Sequence, residues 1–216
     1  MKYIIMCGGQ YILWRKPRHL LEINGETIVG RTVRQLKENG IEPYISTNDP
    51  RFEGIAPILR HENSYRATDK IVGGYWNECF YPTDEPVCYL MGDVVFSDEA
   101  IRKIVNTETD SIEFFASAPP FSPQYTKPYA EPFAFKVVDT EKFREAIRKT
   151  NELESLFKRK PIAWELWQVI KGHPLNVIKY DSYTVINDYT CDVDSPDDLA
   201  KIEAKMPYTV NMEVIG

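Results

Sequence analysis

The stretch Tyr3 to Glu26, YIIMCGGQYILWRKPRHLLEINGE, constrains the fold more than any other part of the chain. Its apolar run Tyr3-Ile4-Ile5-Met6 is too short for a helix and suits a strand buried on both faces, as the strands of parallel sheets are. Gly8 and Gly9 follow, and neither carries a Cβ to block a positive φ or the close approach of a ligand. Successive backbone N–H groups in such a turn form a nest that binds anions. Arg15, Lys16, Arg18 and His19 come soon after, with enough cationic donors to neutralise a triphosphate. Two glycines behind a strand are also ordinary turn chemistry. The whole stretch predicts a strand ending in a phosphate cradle, with Met6, Cys7, Gly8 and Gly9 as nucleotide-binding residues.

The segments that follow alternate between helical and extended patterns. Asn24-Gly25-Glu26 reads as the opening of a helix, and Glu26 to Asn39 sets Ile28, Val29, Val33 and Leu36 on one helical face and stops at Asn39-Gly40. Glu42 to Thr47 reads as a second parallel strand and Ile58-Leu59 as a third. A polar loop from Arg60 to Tyr65 leads to a helix over about Asp69 to Cys79, which Thr68 or Asp69 can cap. Val87 to Met91 is another strand, ending at Gly92-Asp93. Ligands of open α/β sheets bind beyond the carboxyl ends of the strands, so Asp93 arrives at the same edge as Gly8 and Gly9. It is placed there either to cap the next turn or to hold Mg²⁺, a hard ion that takes one or two carboxylates.

Further along, a helix is expected over Ser97 to Val105 and a strand over Ile112 to Ala116. Pro119 to Pro128 carries four prolines and is a rigid loop. In the strand after it, Phe133, Phe135 and Val137 share one face and Ala134 and Lys136 the other. Helices follow over Thr140 to Lys149, capped by Thr140 or Asp139, and over Trp164 to Ile170, whose tryptophans read as core. Leu175 to Tyr180 and Tyr183 to Ile186 read as late strands. The string Cys191-Asp192-Val193-Asp194-Ser195-Pro196-Asp197-Asp198-Leu199 opens a last helix, with Ser195 or Asp194 as N-cap and Pro196 in the first turn. The pattern predicts an α/β protein: a Rossmann-like three-layer sandwich with a mostly parallel central sheet, in a single domain over residues 1–216.

Charge and cysteine usage narrow the partners. A net charge of −6 argues against a broad nucleic-acid or anionic-membrane surface and makes the local basic loop stand out as a site for a small anion. Cys7, Cys79, Cys88 and Cys191 are scattered, with no CxxC and no histidine at ligand spacing, so they read as free thiols in a reducing compartment rather than a zinc site. With no apolar run of membrane-spanning length and a strand beginning almost at residue 1, a cytoplasmic protein is expected. Oligomeric state is not readable from these features.

The order of apolar strand, Gly8-Gly9, basic loop, Pro17-Arg18, Leu20-Leu21-Glu22-Ile23-Asn24-Gly25 resembles the amino-terminal signature of nucleotidyltransferases of the sugar-nucleotide and phosphocholine type, which share a GT-A-like fold. Those proteins read GGxGxR and then Pro-Lys. Here the loop is short, the third glycine is missing and Arg18 stands where the lysine is usual. The resemblance implies an enzyme that transfers a nucleoside monophosphate from a nucleoside triphosphate, CTP being favoured, to a phosphorylated small-molecule acceptor such as a sugar 1-phosphate or phosphocholine. It implies Mg²⁺ as cofactor, held by Asp93 of the strand-then-Gly-Asp motif and by the acidic pair of Asp-x-Asp-Ser-Pro-x-Asp-Leu. Asp194 is favoured over Asp192 in that pair because it immediately precedes Ser195-Pro196. Arg15, Lys16, Arg18 and Asp93 are the implied catalytic residues, and which basic residue takes phosphate is left open. Base contacts are implied near Asn63, Thr68 and Asp69, and acceptor contacts at Tyr125, Lys127 and Glu131. Two rivals fit the same residues: a GT-A glycosyltransferase that uses Asp192-x-Asp194, and a nucleotide-binding protein that has lost catalysis, as the shortened loop suggests.

Overall fold

The computed structural model describes residues 1–8, 16–60, 79–118, 130–157, 163–175 and 179–206, the backbone alone over 153–157. The first half runs β1 (Lys2–Met6), a 3-10 turn (Arg18–Leu20), β2 (Glu22–Ile23), β3 (Glu26–Thr27), α1 (Ile28–Glu38), β4 (Tyr44–Ser46), a second 3-10 turn (Pro50–Phe52) and β5 (Ile58–Leu59). There follow β6 (Val87–Met91), β7 (Val94–Val95), α2 (Asp98–Asn106), β8 (Ile112–Ser117) and β9 (Pro132–Val137). The chain closes with α3 (Thr140–Phe157), α4 (Ala163–Lys171), β10 (Thr184–Ile186), β11 (Cys191–Asp192) and α5 (Pro196–Lys205).

The apolar strands β1 and β6 are buried on both faces and pair in parallel, Ile4 opposite Tyr89 and Met6 opposite Met91. They sit at the middle of a seven-stranded sheet ordered β10-β8-β9-β6-β1-β4-β5, parallel except for β9. From β1 the chain steps outward through β4 and β5, then returns to β6 on the other side of β1. That reversal between β1 and β6 is where an open α/β sheet leaves a crevice at its carboxyl edge. The α/β reading and its mostly parallel sheet are thus borne out.

Strand alternation dictates the two helical layers. Phe114 and Phe135 stack at 4.4 Å on one face, where Phe143 of α3 and Trp164 of α4 pack against them. Lys136 points the opposite way, and its buried ammonium donates to the carbonyls of Ile104, Val105 and Thr107 at 3.0, 2.9 and 2.6 Å, at the carboxyl end of α2. A cation suits the negative end of a helix dipole. α1 lies beside α2, tied by Gln35 Nε2 to Asp98 Oδ1 at 2.7 Å.

Several expectations need amending. Asn24-Gly25 does not open the helix: both residues take positive φ, 52° and 78°, and turn a β2–β3 hairpin, after which Thr27 caps α1. Asn-Gly suits such a turn because both positions require the left-handed region. Leu175 lies in a turn and Lys179 and Tyr180 belong to no strand, so the late strand over Leu175 to Tyr180 is not formed by the residues described. α3 runs on to Phe157, past the expected Lys149. The helix expected over Asp69 to Cys79, Cys79 apart, and the proline-rich loop over Pro119 to Pro128 lie outside the described residues. All four cysteines are free thiols. No helix among the described residues is long and apolar enough to cross a membrane.

Candidate functional site

The ends of β1 and β6 meet through Gly92, whose N–H donates to the Met6 carbonyl at 3.0 Å. A Cβ on Gly92 would come closer than 3.0 Å to that carbonyl, to the His19 ring and to the Cys7 sulfur. The glycine before Asp93 is therefore a packing requirement: it lets the chain lie against the end of β1 immediately before Asp93. The Cys7 N–H is spent on the Ser46 carbonyl at 2.9 Å, and burial, with the Asp93 charge behind it, pushes the Cys7 thiol well above its ordinary range. Cys7 is a neutral packing group, not a nucleophile. Gly8 is exposed and is not in the left-handed region, and a Cβ there would stand at an ordinary 4.0 Å from the Cys79 Cβ. The described residues therefore do not demand a glycine at 8, and the lack of a side chain leaves room in front of the strand end.

Arg18 occupies the middle of the site. Its neighbour His19 is buried beneath the strand ends with its ring edge-on to Phe52 at 5.8 Å, and its ring bonds the Met6 carbonyl. Burial first, and the Arg18 charge with it, lowers the His19 pKa to about 4, against a smaller upward pull from Asp93, so the ring is neutral near pH 7. With His19 anchored, the Arg18 guanidinium reaches Asp93 Oδ2 at 2.8 Å, the Val193 carbonyl at 3.1 Å and Asp194 Oδ1. Burial pulls the Arg18 pKa down, but the charges of Asp93, Asp194 and Asp192 and the bond to Asp194 outweigh it and raise it.

The carboxylates come from two strands that pair. β11 runs antiparallel to β7, setting Asp192 opposite Val94, and Val193 N–H donates to the Asp93 carbonyl at 2.9 Å. Ser195 caps α5 in a reciprocal box with Asp198, whose Oδ2 accepts the backbone N–H groups of Ser195 and Asp194. Of the two N-cap candidates it is therefore Ser195 that caps the helix, with Asp198 as its partner three residues on. A small second core of Leu21, Ile23, Ile28, Val95, Cys191, Val193, Ile202 and Met206 holds the hairpin, the β7–β11 ribbon and α5 together. The same packing therefore fixes Arg18 and Asp194 relative to one another.

The sequence reading missed the residues that fasten this strap. Asp188 Oδ2 accepts from the Ser97 hydroxyl at 2.6 Å and its Oδ1 from Thr190 N–H at 2.7 Å, while Thr190 Oγ1 accepts from Ser97 N–H at 3.0 Å. The local signal was Asp-x-Thr, an Asx-turn pattern. Arg31 adds a bond to the Tyr189 hydroxyl at 3.2 Å. Lys16, by contrast, pairs with Glu22, at 3.9 Å. Glu131 is buried at the head of β9, which runs antiparallel to β6 and so starts at the same sheet edge; its N–H donates to Ser117 Oγ at 2.8 Å. Gly9, Arg15, Asn63, Thr68, Asp69, Tyr125 and Lys127 lie outside the described residues.

Electrostatically the described site is acidic: three carboxylates act on the one guanidinium of Arg18. Among the described residues no group of three His, Cys, Asp or Glu side chains is arranged to hold a metal. A hard cation that needs one or two carboxylates and takes its remaining ligands from water and phosphate asks less, and Asp93 with Asp194 fits that donor set. Arg18 engages one oxygen of each.

Comparison with solved structures gives the fold a counterpart. A Bacillus anthracis protein assigned as a glucose-1-phosphate thymidylyltransferase matches with a TM-score of 0.58 at 15% identity, over 96% of this chain and 96% of its own. The chain has the nucleotidyltransferase fold. Francisella tularensis 2-C-methyl-D-erythritol 4-phosphate cytidylyltransferase matches at 0.53 and 14% identity, over 95% and 99% of the two chains. The inositol-1-phosphate CTP transferase from T. maritima matches at 0.52 and 12%, over 96% and 98%. No protein-family model and no curated protein sequence matches. The nucleotidyltransferase-like architecture expected from the amino-terminal signature is therefore present.

Proposed function

We propose that this chain is a Mg²⁺-dependent nucleotidyltransferase that transfers a nucleoside monophosphate from a nucleoside triphosphate, with CTP favoured, to a phosphorylated small-molecule acceptor. The observation that carries the reading is the convergence of Gly8, Arg18, Asp93 and Asp194 at the crevice between β1 and β6. Two of the three structural counterparts are named for CTP or cytidylyl transfer, and all three are named for phosphorylated small molecules, which supports the choice of base and acceptor class. The excess of carboxylates supports the metal: a triphosphate would be repelled from this site without a cation to neutralise it.

In the reaction, a phosphate oxygen of the acceptor forms a bond to the α-phosphorus of the triphosphate in line, the bond from that phosphorus to the bridging oxygen breaks, and pyrophosphate leaves with the electron pair. Mg²⁺ on Asp93 and Asp194 supplies neutralisation of the phosphate charge when bound. Gly8 leaves room for the phosphates beside the strand end, Arg18 supplies a planar fork of donors next to them, and the neutral His19 beneath keeps Arg18 in place. No covalent intermediate on the protein is needed, since the catalyst's task is to hold two mutually repelling anions together.

Pyrophosphate release, measured with each of the four ribonucleoside triphosphates, Mg²⁺ and a panel of phosphorylated acceptors, tests the proposal. Release with one triphosphate that falls on the order of a hundredfold in Asp93→Ala is expected. A protein that binds a triphosphate but releases no pyrophosphate with any acceptor would point to the catalytically silent binding protein, and turnover of a sugar nucleotide instead would point to a glycosyltransferase.

A further inference from the structure

Arg18 does more than sit beside the carboxylates: it is shared between them, with Nη2 on Asp93 Oδ2 at 2.8 Å and Nη1 on both Asp194 Oδ1 and the Val193 carbonyl. Asp93 follows β6 and Asp194 follows β11, so the fold brings two like charges together from distant parts of the chain, with the buried Asp192 adding a third. Such a cluster needs a counter-charge at all times. We propose that Arg18 is the resident counter-ion of the metal site and competes with the divalent cation for Asp93 and Asp194. The inference rests on the reading of those two carboxylates as the metal ligands.

A divalent cation among these carboxylates repels a guanidinium a few ångströms away, so loading requires Arg18 to give up its carboxylate bonds. Its fork then faces the incoming phosphates, which are the better partner for a planar five-donor cation. Cation and nucleotide binding are thereby coupled. The cation alone pays for the loss of the Arg18 pairs, whereas the cation with a triphosphate gives Arg18 new partners, and the coupling is reciprocal. Lysine at this position would neutralise the carboxylates as a point charge without bridging them, which gives a physical reason for an arginine here.

The test is Mn²⁺ binding without nucleotide, followed by calorimetry and by the paramagnetic resonance of the free ion, on wild type, Arg18→Gln, Arg18→Lys and Asp93→Asn. Thermal melts establish that each variant is folded, and Arg18→Lys, which keeps the charge, serves if Arg18→Gln is not. Removing the guanidinium should tighten Mn²⁺ binding by about tenfold or more, the repulsion expected under water-like screening, with Arg18→Lys between it and wild type. Adding CTP should tighten Mn²⁺ binding in wild type by a larger factor than in Arg18→Gln. Equal or weaker Mn²⁺ binding in Arg18→Gln, or in Arg18→Lys if that alone folds, overturns the competition. Mn²⁺ binding that is the same in Asp93→Asn as in wild type overturns the metal assignment itself, whatever Arg18 does.

Discussion

Gly92→Ala perturbs the junction on which the site depends. The added Cβ would come closer than 3.0 Å to the Met6 carbonyl, the His19 ring and the Cys7 sulfur. The carbonyl is backbone in the middle of the sheet and also accepts the Gly92 N–H at 3.0 Å, so it cannot retreat without breaking that bond. Overpacking of a core costs about 1–3 kcal/mol and a weakened hydrogen bond about 1 kcal/mol more. Because Gly92 is not in the left-handed region, alanine also gains about 0.5–1 kcal/mol through the unfolded chain, which offsets part of the cost. The net loss is about 2 kcal/mol, or roughly 4–8 °C in Tm for a chain of this size. Urea unfolding followed by fluorescence measures the first and calorimetry the second. Asp93 follows directly, so turnover should fall with stability even where the variant is fully folded. Stability within about 0.5 kcal/mol of wild type, the range of an ordinary surface change, would refute the close approach of β6 to β1.

Three further outcomes follow from the same structure. Folded His19 takes its proton only near pH 4 while the unfolded chain takes one near 6.5, so stability is complete above pH 6.5 and is lost as pH falls towards 4, by about 2 kcal/mol at pH 5. Denaturation at pH 7 and pH 5 reads this difference, and a drop that persists unchanged in His19→Gln would assign it elsewhere. Lys136→Met removes three bonds to the end of α2 and should cost about 1–3 kcal/mol without altering turnover of the folded protein; an unchanged urea midpoint would show that the cap contributes nothing. Asp188→Ala unfastens the strap that carries Asp194 and should weaken Mn²⁺ binding, with Asp188→Asn recovering part of it; Mn²⁺ affinity equal to wild type would mean the strap is held by the second core alone.

What the sequence made legible was whatever local pattern decides. The apolar runs at β1 and β6 are buried on both faces, and Gly92-Asp93 stands at the sheet edge where strand polarity delivers it. Ser195-Pro196 begins α5, and Trp164 and Trp167 are core, as helical spacing required. What escaped was non-local or context-bound. The β7–β11 pairing joins segments about a hundred residues apart, beyond the reach of any window of sequence. Asn24-Gly25 stood before a strongly amphipathic helix and read as its start, although the same dipeptide is a hairpin signal. Lys136 was assigned the right strand face, but burial of its ammonium is set by α2, which caps against it. Arg18 was one of three basic candidates, with Arg15 and Lys16, for the phosphate. That it bridges two carboxylates depends on a fold-wide juxtaposition that charge counting along the chain could not reveal.

The fate of the α-phosphorus decides between nucleotidyl transfer and every other use of this fold. CTP labelled at that atom, incubated with the protein, Mg²⁺ and the phosphorylated acceptors, should pass its label to a new pyrophosphate-linked product, with an equal amount of unlabelled pyrophosphate released and both lost in Asp93→Asn. Label that remains in intact nucleoside triphosphate, across all four bases and all acceptors, while the protein binds that nucleotide, would contradict the proposed transfer.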